Sequence, residues 1–299
     1  MNNRRKTQQQ RQRTTRRPAW LPFAIIGGVV ALVIVGVLLI TNQGSGSAPR
    51  AIARMQTRDF HALMFSGADM NTVFFGHHGG LMVSKDQGET WQPTSLQGAD
   101  AMSLGSATTN PLRMYAAGHG VFFRSDDAGK TWAAVAGQMV GADIHAFAAS
   151  PNDANRVYAL VAGQGLASSG DGGATWQPIA SPSGAVTALA ASGAQTVLAG
   201  TSQTGVFKSE DGGNTWQPIS DGLGGVQVTG LALSSEGTIF ASTSQGLYRR
   251  TANAAWQPLL FSKTLLAVAV SPLNGQLLLA LSNQGEIFRS RDGGQTWGG

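Results

Sequence analysis

Five histidines and a small set of aspartates are the residues of this chain most able to do chemistry. His61 and His145 recur in matching contexts, Asp59-Phe-His61-Ala and Asp143-Ile-His145-Ala. His77, His78 and His119 fall between glycines, in Gly76-His-His-Gly79 and Gly118-His-Gly120. Asp100 stands where a further copy of the first context would begin, without its histidine. Neutral imidazoles beside carboxylates can hold a divalent metal, can hydrogen-bond a ligand or partner, or can be ordinary turn and strand-end residues. No short His-x-x-x-His spacing singles out the metal. No metal and no other cofactor is therefore assigned, and a metal at the histidines stays one of three open alternatives. The absence of cysteine removes thiol chemistry, thiolate metal sites and disulfides.

The elements that must position these residues are announced by tryptophan. Apart from Trp20, every tryptophan belongs to one series, Trp91, Trp132, Trp176, Trp216, Trp256 and Trp297, at intervals of 41, 44, 40, 40 and 41 residues. A period of 40 to 45 residues with short apolar runs suits four-stranded propeller blades. Forty glycines and only 12% charged residues agree with a β-rich chain of many tight turns.

The residues before each tryptophan repeat too: Ser84-Lys-Asp86-Gln-Gly88-Glu-Thr90-Trp91, Ser125-Asp-Asp127-Ala-Gly129-Lys-Thr131-Trp132 and Ser169-Gly-Asp171-Gly-Gly173-Ala-Thr175-Trp176, then again around Asp211 and Trp216 and around Asp292 and Trp297. This S-x-D-x-G-x-T-W pattern resembles the Asp box, or BNR repeat, of sialidases, sortilin-type receptors, xyloglucanases and photosystem II assembly-factor propellers. The resemblance covers residues 51–299 and implies an all-β, six-bladed propeller whose boxes are structural hairpin turns. In such a turn the Asp accepts backbone N–H bonds and Gly supplies a positive φ. The fifth unit has lost the box, reading Arg250-Thr-Ala-Asn-Ala-Ala-Trp256, but keeps its tryptophan. The sixth stops at Trp297-Gly-Gly, before an outer strand, so Ala51–Thr57 is expected to supply that strand and close the ring.

Chain direction in a four-stranded meander puts the start of strand A and the B-to-C turn at one end of each blade, and the box at the other. All five histidines, with Asp59, Asp100 and Asp143, are therefore expected on the face opposite the boxes, contributed by blades one to three. Blades four to six carry Thr187, Gln203, Thr229, Gln245 and Gln284 at the corresponding places.

The resemblance includes enzymes: sialidases of this fold use an arginine trio, a tyrosine nucleophile and an acid partner. Tyr115 and Tyr158 occupy the strand-B position of Phe74, Leu198, Phe240 and Leu278, and Tyr248 matches Phe123, Phe207 and Phe288, so all three read as core. Arg124, Arg249 and Arg289 recur with Lys208 just before the box serine, where alternation points them at solvent. No catalytic residue is assigned.

Residues 1–18 are expected to be a basic tail, 19–40 a transmembrane helix and 41–50 a flexible linker ahead of the propeller at 51–299. Trp20 to Ile40 is 21 uncharged residues, about 32 Å as a helix. Arginine crowding on its N-terminal side orients the tail to the cytoplasm and the propeller outward. A cleaved signal peptide ending near Gly46-Ser47-Ala48 competes, but the apolar run exceeds the usual signal core and Pro49 follows directly. The tail holds seven of the 21 basic residues, leaving 14 against all 16 acidic ones, so no basic surface for nucleic acid is expected beyond it. The expected function is binding or assembly of another envelope protein or ligand at the histidine face of a membrane-tethered propeller. The alternative is a glycoside hydrolase or glycan-binding protein of the cell envelope.

Overall fold

A computed structural model describes residues 48–259 and 261–298. The expected basic tail and spanning segment lie outside these residues, as does most of the linker. Among the described residues no helix is long and apolar enough to cross a membrane.

The described strands form six antiparallel four-stranded sheets. Blade one is Ala62–Phe65, Val73–His77, Gly80–Ser84 and Gln92–Gln97, and blades two to five follow in the same order along the chain. Blade six takes its inner strands from Leu265–Ser271, Asn274–Ser282 and Glu286–Ser290, and its outer strand from Ala53–Arg54. The expected closure is thus observed, with Ala53 opposite Ile287 and Arg54 opposite Glu286. The N–H groups of Ile52 and Met55 extend the pairing, donating to Ile287 and Gly285 carbonyls, each at 2.8 Å. Innermost strands neighbour one another around the whole circle, blade six meeting blade one.

Core clusters lie between blades rather than within them. Tyr115 and Phe122 of blade two pack with Phe147 and Val157 of blade three, and Phe65 and Phe75 of blade one pack with Leu279 and Ile287 of blade six. Each sheet is therefore covered on both faces. This corrects one expectation: Arg289 does not point at solvent but is 3% exposed, its Nη2 donating to Glu89 Oε1 of blade one at 2.8 Å. Strand alternation separates a core face from a solvent face only when one face is wet, and here a neighbouring blade covers it. Arg124 and Arg249 remain half-buried.

Every box is a closed hydrogen-bonded turn. In blade two the Gly129 N–H donates to Ser125 Oγ at 2.9 Å, the serine hydroxyl donates to Asp127 Oδ1 at 2.8 Å, and the Thr131 N–H and hydroxyl donate to the same carboxylate at 2.9 and 2.5 Å. The tryptophan indole N–H returns to the box glycine carbonyl in blades one, two, three and six. In blade five Asn253 adopts φ 58°, the left-handed conformation that Gln87 and Ala128 take just before the box glycine and that asparagine tolerates, and Trp256 stays 2% exposed.

The threonine hydroxyl, followed by the threonine N–H and the serine hydroxyl, holds Asp127, Asp171 and Asp211 down to about 2 from an ordinary 3.8. In Asp86 slight burial opposes the same bonds, and the value is still about 2. A carboxyl depressed in the folded state is protonated more readily in the unfolded chain, so its contribution to stability is complete above the unfolded value and is lost as pH falls through the folded one. The melting temperature of the propeller is expected to fall between pH 4 and pH 2, and less steeply when Asp127 and Asp171 are changed to Asn. A melting temperature flat across that window would contradict the role of the boxes.

Candidate functional site

The site grows from two local devices. In blades three to six the A–B ladder slips by one residue at the start of strand A, leaving His145, Thr187, Thr229 and Leu266 outside the register. A bulge of this kind re-aims a side chain. His145, Thr187, Thr229 and Leu266 line the channel mouth together with His61 and Met102 of blades one and two, around an opening of about 120 Å³.

The second device is the crossover between blades. The segment leading into each strand A runs beside the B-to-C turn of the preceding blade: the Ala101 N–H donates to the His77 carbonyl, and the Gly120 N–H to that of Ala142. Asp100 is thereby placed between His78 of blade one and His119 of its own blade, and Asp143 between His119 and His145.

The resulting side chains form one continuous line. Asp59 accepts the His78 backbone N–H at 2.9 Å on Oδ1 and the His78 Nδ1 on Oδ2. His61 Nε2 faces the same His78 Nδ1 at 3.1 Å, with the two rings edge-on. Asp100 Oδ2 lies 3.2 Å from His78 Nε2 and accepts from His119 Nδ1 at 2.5 Å. Asp143 Oδ1 is 3.3 Å from His119 Nε2 and 3.0 Å from His145 Nε2. The Oδ1 atoms of Asp100 and Asp143 are buried yet make no hydrogen bond.

Burial, only partly offset by Asp59, holds the His61 imidazole below the usual histidine range and keeps it neutral at pH 7. Burial opposes ionisation of Asp59, but the hydrogen bonds from His78 outweigh it and set its carboxyl below the usual range. Side-chain exposure rises from 12% at Asp100 and 18% at His61 to 51% at His78, so the line opens outward to solvent.

Seven of the eight residues expected on this face thus converge: Asp59, His61, His78, Asp100, His119, Asp143 and His145. His77 does not join them. As the last residue of strand B it shares the side of Phe75, stacks on that ring at 5.6 Å and accepts the Gly79 N–H at 3.0 Å. In the other half of the mouth the hydroxyls of Thr187 and Thr229 donate to carbonyls of the following blade at 2.6 and 2.7 Å.

Two of the three tyrosines expected in the core are fully buried, and Tyr248 is half-buried against the core cluster of Val228 and Trp256. Tyr115 and Tyr158 are 0% exposed, and burial raises both phenols above the usual value. At the box end the channel opens through about 190 Å³ lined by Phe65, Thr108, Phe147, Leu189 and Leu233, without a titratable side chain.

Comparison with known proteins agrees with this architecture. The family model described as sortilin, neurotensin receptor 3, matches residues 120–254, and that of the BNR/Asp-box repeat matches residues 82–93. No curated protein matches the chain. Among solved structures, the GH74 xyloglucanase from Xanthomonas campestris is similar at 20% identity and TM-score 0.60, over 83% of this chain and 46% of that one. The GH74 enzyme of Niastella koreensis is similar at 19% identity and TM-score 0.59, over 84% and 46%. The chain thus spans under half the length of these two. A structure of YCF48 bound to D1 peptide is similar at 18% identity and TM-score 0.53, over 82% of this chain and 83% of that one. With five boxes in register, six four-stranded blades and these matches together, the chain is a β-propeller of the BNR (Asp-box) repeat superfamily.

Proposed function

We propose that this chain is a membrane-tethered, extracytoplasmic propeller that captures a segment of another envelope protein at its histidine-bearing mouth. The observation that carries the reading is the asymmetry of that mouth: four histidines and three aspartates in one line of hydrogen bonds and close charged contacts over blades one to three, against threonines bonded to backbone in blades four and five. A line of this kind offers donors and acceptors in a half-exposed, partly dry setting, where polar contacts are stronger than in open water. An opening of about 120 Å³ admits one protruding side chain while the partner's backbone lies across the rim. YCF48, whose fold is matched over most of its length, is a propeller that binds a peptide. The tether rests on the 21 uncharged residues from Trp20 to Ile40 behind seven basic ones.

The glycan reading draws on the likeness to GH74 enzymes. Against it, the mouth is well below the roughly 300–1,000 Å³ of ordinary ligand pockets, and two of its three carboxylates, Asp59 and Asp100, are already hydrogen-bonded to imidazoles. In-cell cross-linking of the tagged full-length protein, beside a variant with His61, His78, His119 and His145 all changed to Ala, tests the proposal. A protein captured only by the parent is the expected result. Equal capture by both would remove the histidine mouth as the binding surface. Turnover of a polysaccharide that is lost on changing Asp59 or Asp143 would favour the hydrolase.

A further inference from the structure

We infer that the histidine face holds two divalent transition-metal ions of the zinc class, each bound by two imidazoles and one carboxylate. His61, His78 and Asp59 form one centre, and His119, His145 and Asp143 form the other. Asp100 stands between them and orders both. The inference stands on the geometry of these residues and not on the partner proposed above.

Zinc bound tetrahedrally at about 2.0–2.1 Å holds its ligand atoms about 3.4 Å apart. At the first centre His61 Nε2 is 3.1 Å from His78 Nδ1 and 3.8 Å from Asp59 Oδ1. At the second, Asp143 Oδ1 is 3.3 Å from His119 Nε2 and 3.0 Å from His145 Nε2. The first set brackets the spacing of a tetrahedral edge and the second falls within about 0.4 Å below it, and in each the donor atoms lie within 4.8 Å of one another.

Protons alone serve these atoms poorly. His78 Nδ1 is approached by both His61 Nε2 and Asp59 Oδ2, and one ring nitrogen carries at most one proton to share between them. Asp143 Oδ1 is buried with two imidazole nitrogens close by, yet it makes no hydrogen bond with either. A buried carboxylate oxygen without a hydrogen bond is costly, and a cation at the point where these lone pairs converge relieves the cost.

Asp100 supplies the outer contacts that metal-binding histidines commonly have. Its Oδ2 faces His78 Nε2 at 3.2 Å and His119 Nδ1 at 2.5 Å, the ring nitrogens left over once His78 binds through Nδ1 and His119 through Nε2. A carboxylate in that place fixes the tautomer and the orientation of both rings. This favours the two outer centres over a single ion at His78, Asp100 and His119, which would take Asp100 from its place between the two rings. Three protein ligands at each ion leave a fourth position, which the half-exposed imidazoles turn toward solvent.

The test uses the full-length protein in detergent, stripped of metal, dialysed and titrated with zinc chloride by calorimetry, with cobalt absorption spectra reporting coordination. Two ions per chain are expected. His61→Thr and His145→Thr should each remove one ion, and threonine is compatible with the fold because Thr187 and Thr229 occupy those places in blades four and five. Asp100→Asn should keep both ions but weaken binding by about 10–100-fold. Unchanged melting of the metal-free variants confirms that they fold. Fewer than two stoichiometric ions in the parent, two retained in either threonine variant, or a cobalt spectrum unchanged by both would overturn the inference. Unaltered affinity in Asp100→Asn would overturn the part given to Asp100.

Discussion

Deleting Ala51–Thr57 is expected to lower the melting temperature of the propeller by about 8–16 °C, whereas a chain truncated just before Arg50 should melt like the full propeller. The deleted segment carries Ala53–Arg54, the outer strand of blade six, and Met55, which is 5% exposed among Phe65, Phe75, Leu279 and Ile287. Losing a buried methionine side chain alone costs roughly 2–5 kcal/mol. The strand's pairing to Glu286–Ser290 disappears with it and leaves an unprotected sheet edge. A loss of about 4 kcal/mol corresponds to about 8–16 °C for a domain of this size. The exposed edge should also make the deleted protein associate at rising concentration, visible by size-exclusion chromatography. Equal melting of the two proteins would show that the ring does not depend on this strand.

Gly118→Ala is expected to have the next largest effect, and it reaches the site as well as the fold. Gly118 ends strand B of blade two, one residue before His119, where the backbone of Asp100 to Met102 passes against it. A β-carbon there would overlap the Asp100 carbonyl oxygen and stand 2.9 Å from its carbonyl carbon and 3.1 Å from the Met102 nitrogen. These are backbone atoms, so relief requires moving the segment that carries Asp100. Overpacking of this kind costs about 1–3 kcal/mol, or about 2–12 °C at the same conversion. The displacement also separates Asp100 Oδ2 from His119 Nδ1, so the variant should lose partner capture and bind zinc more weakly than Gly224→Ala, where a β-carbon meets nothing within 4 Å and the backbone is not left-handed. Wild-type binding and melting in Gly118→Ala would show that the close approach carries no constraint.

The candidate site was legible in part because propeller repeats make position equivalent to place. His61 and His145 could be assigned to one end of the ring from Asp59-Phe-His61 and Asp143-Ile-His145 alone, since each begins a unit of known period. The order of contacts was not legible. That Asp100 belongs as much to His78 of the preceding blade as to His119 of its own follows from the crossover between sheets, and the sequence spacing of 22 residues from His78 to Asp100 carries no sign of it. His77 shows the same limit at shorter range: two adjacent histidines leave a turn in opposite directions, and only the ring of Phe75 decides which one faces the mouth.

From its sequence alone the chain determined the number of blades, the box turns, the end of the ring bearing the histidines, and the segment that closes the circle. These follow from local hydrogen bonding in the Asp-box turn and from a period that recurs six times, both of which are properties of short stretches of chain. The tertiary structure decided which side chains meet: the burial of Arg289 against Glu89, the departure of His77 and the convergence of seven side chains into one line. Such contacts join residues of different blades, and their distances are set by how sheets pack face to face, which no pattern within one blade encodes.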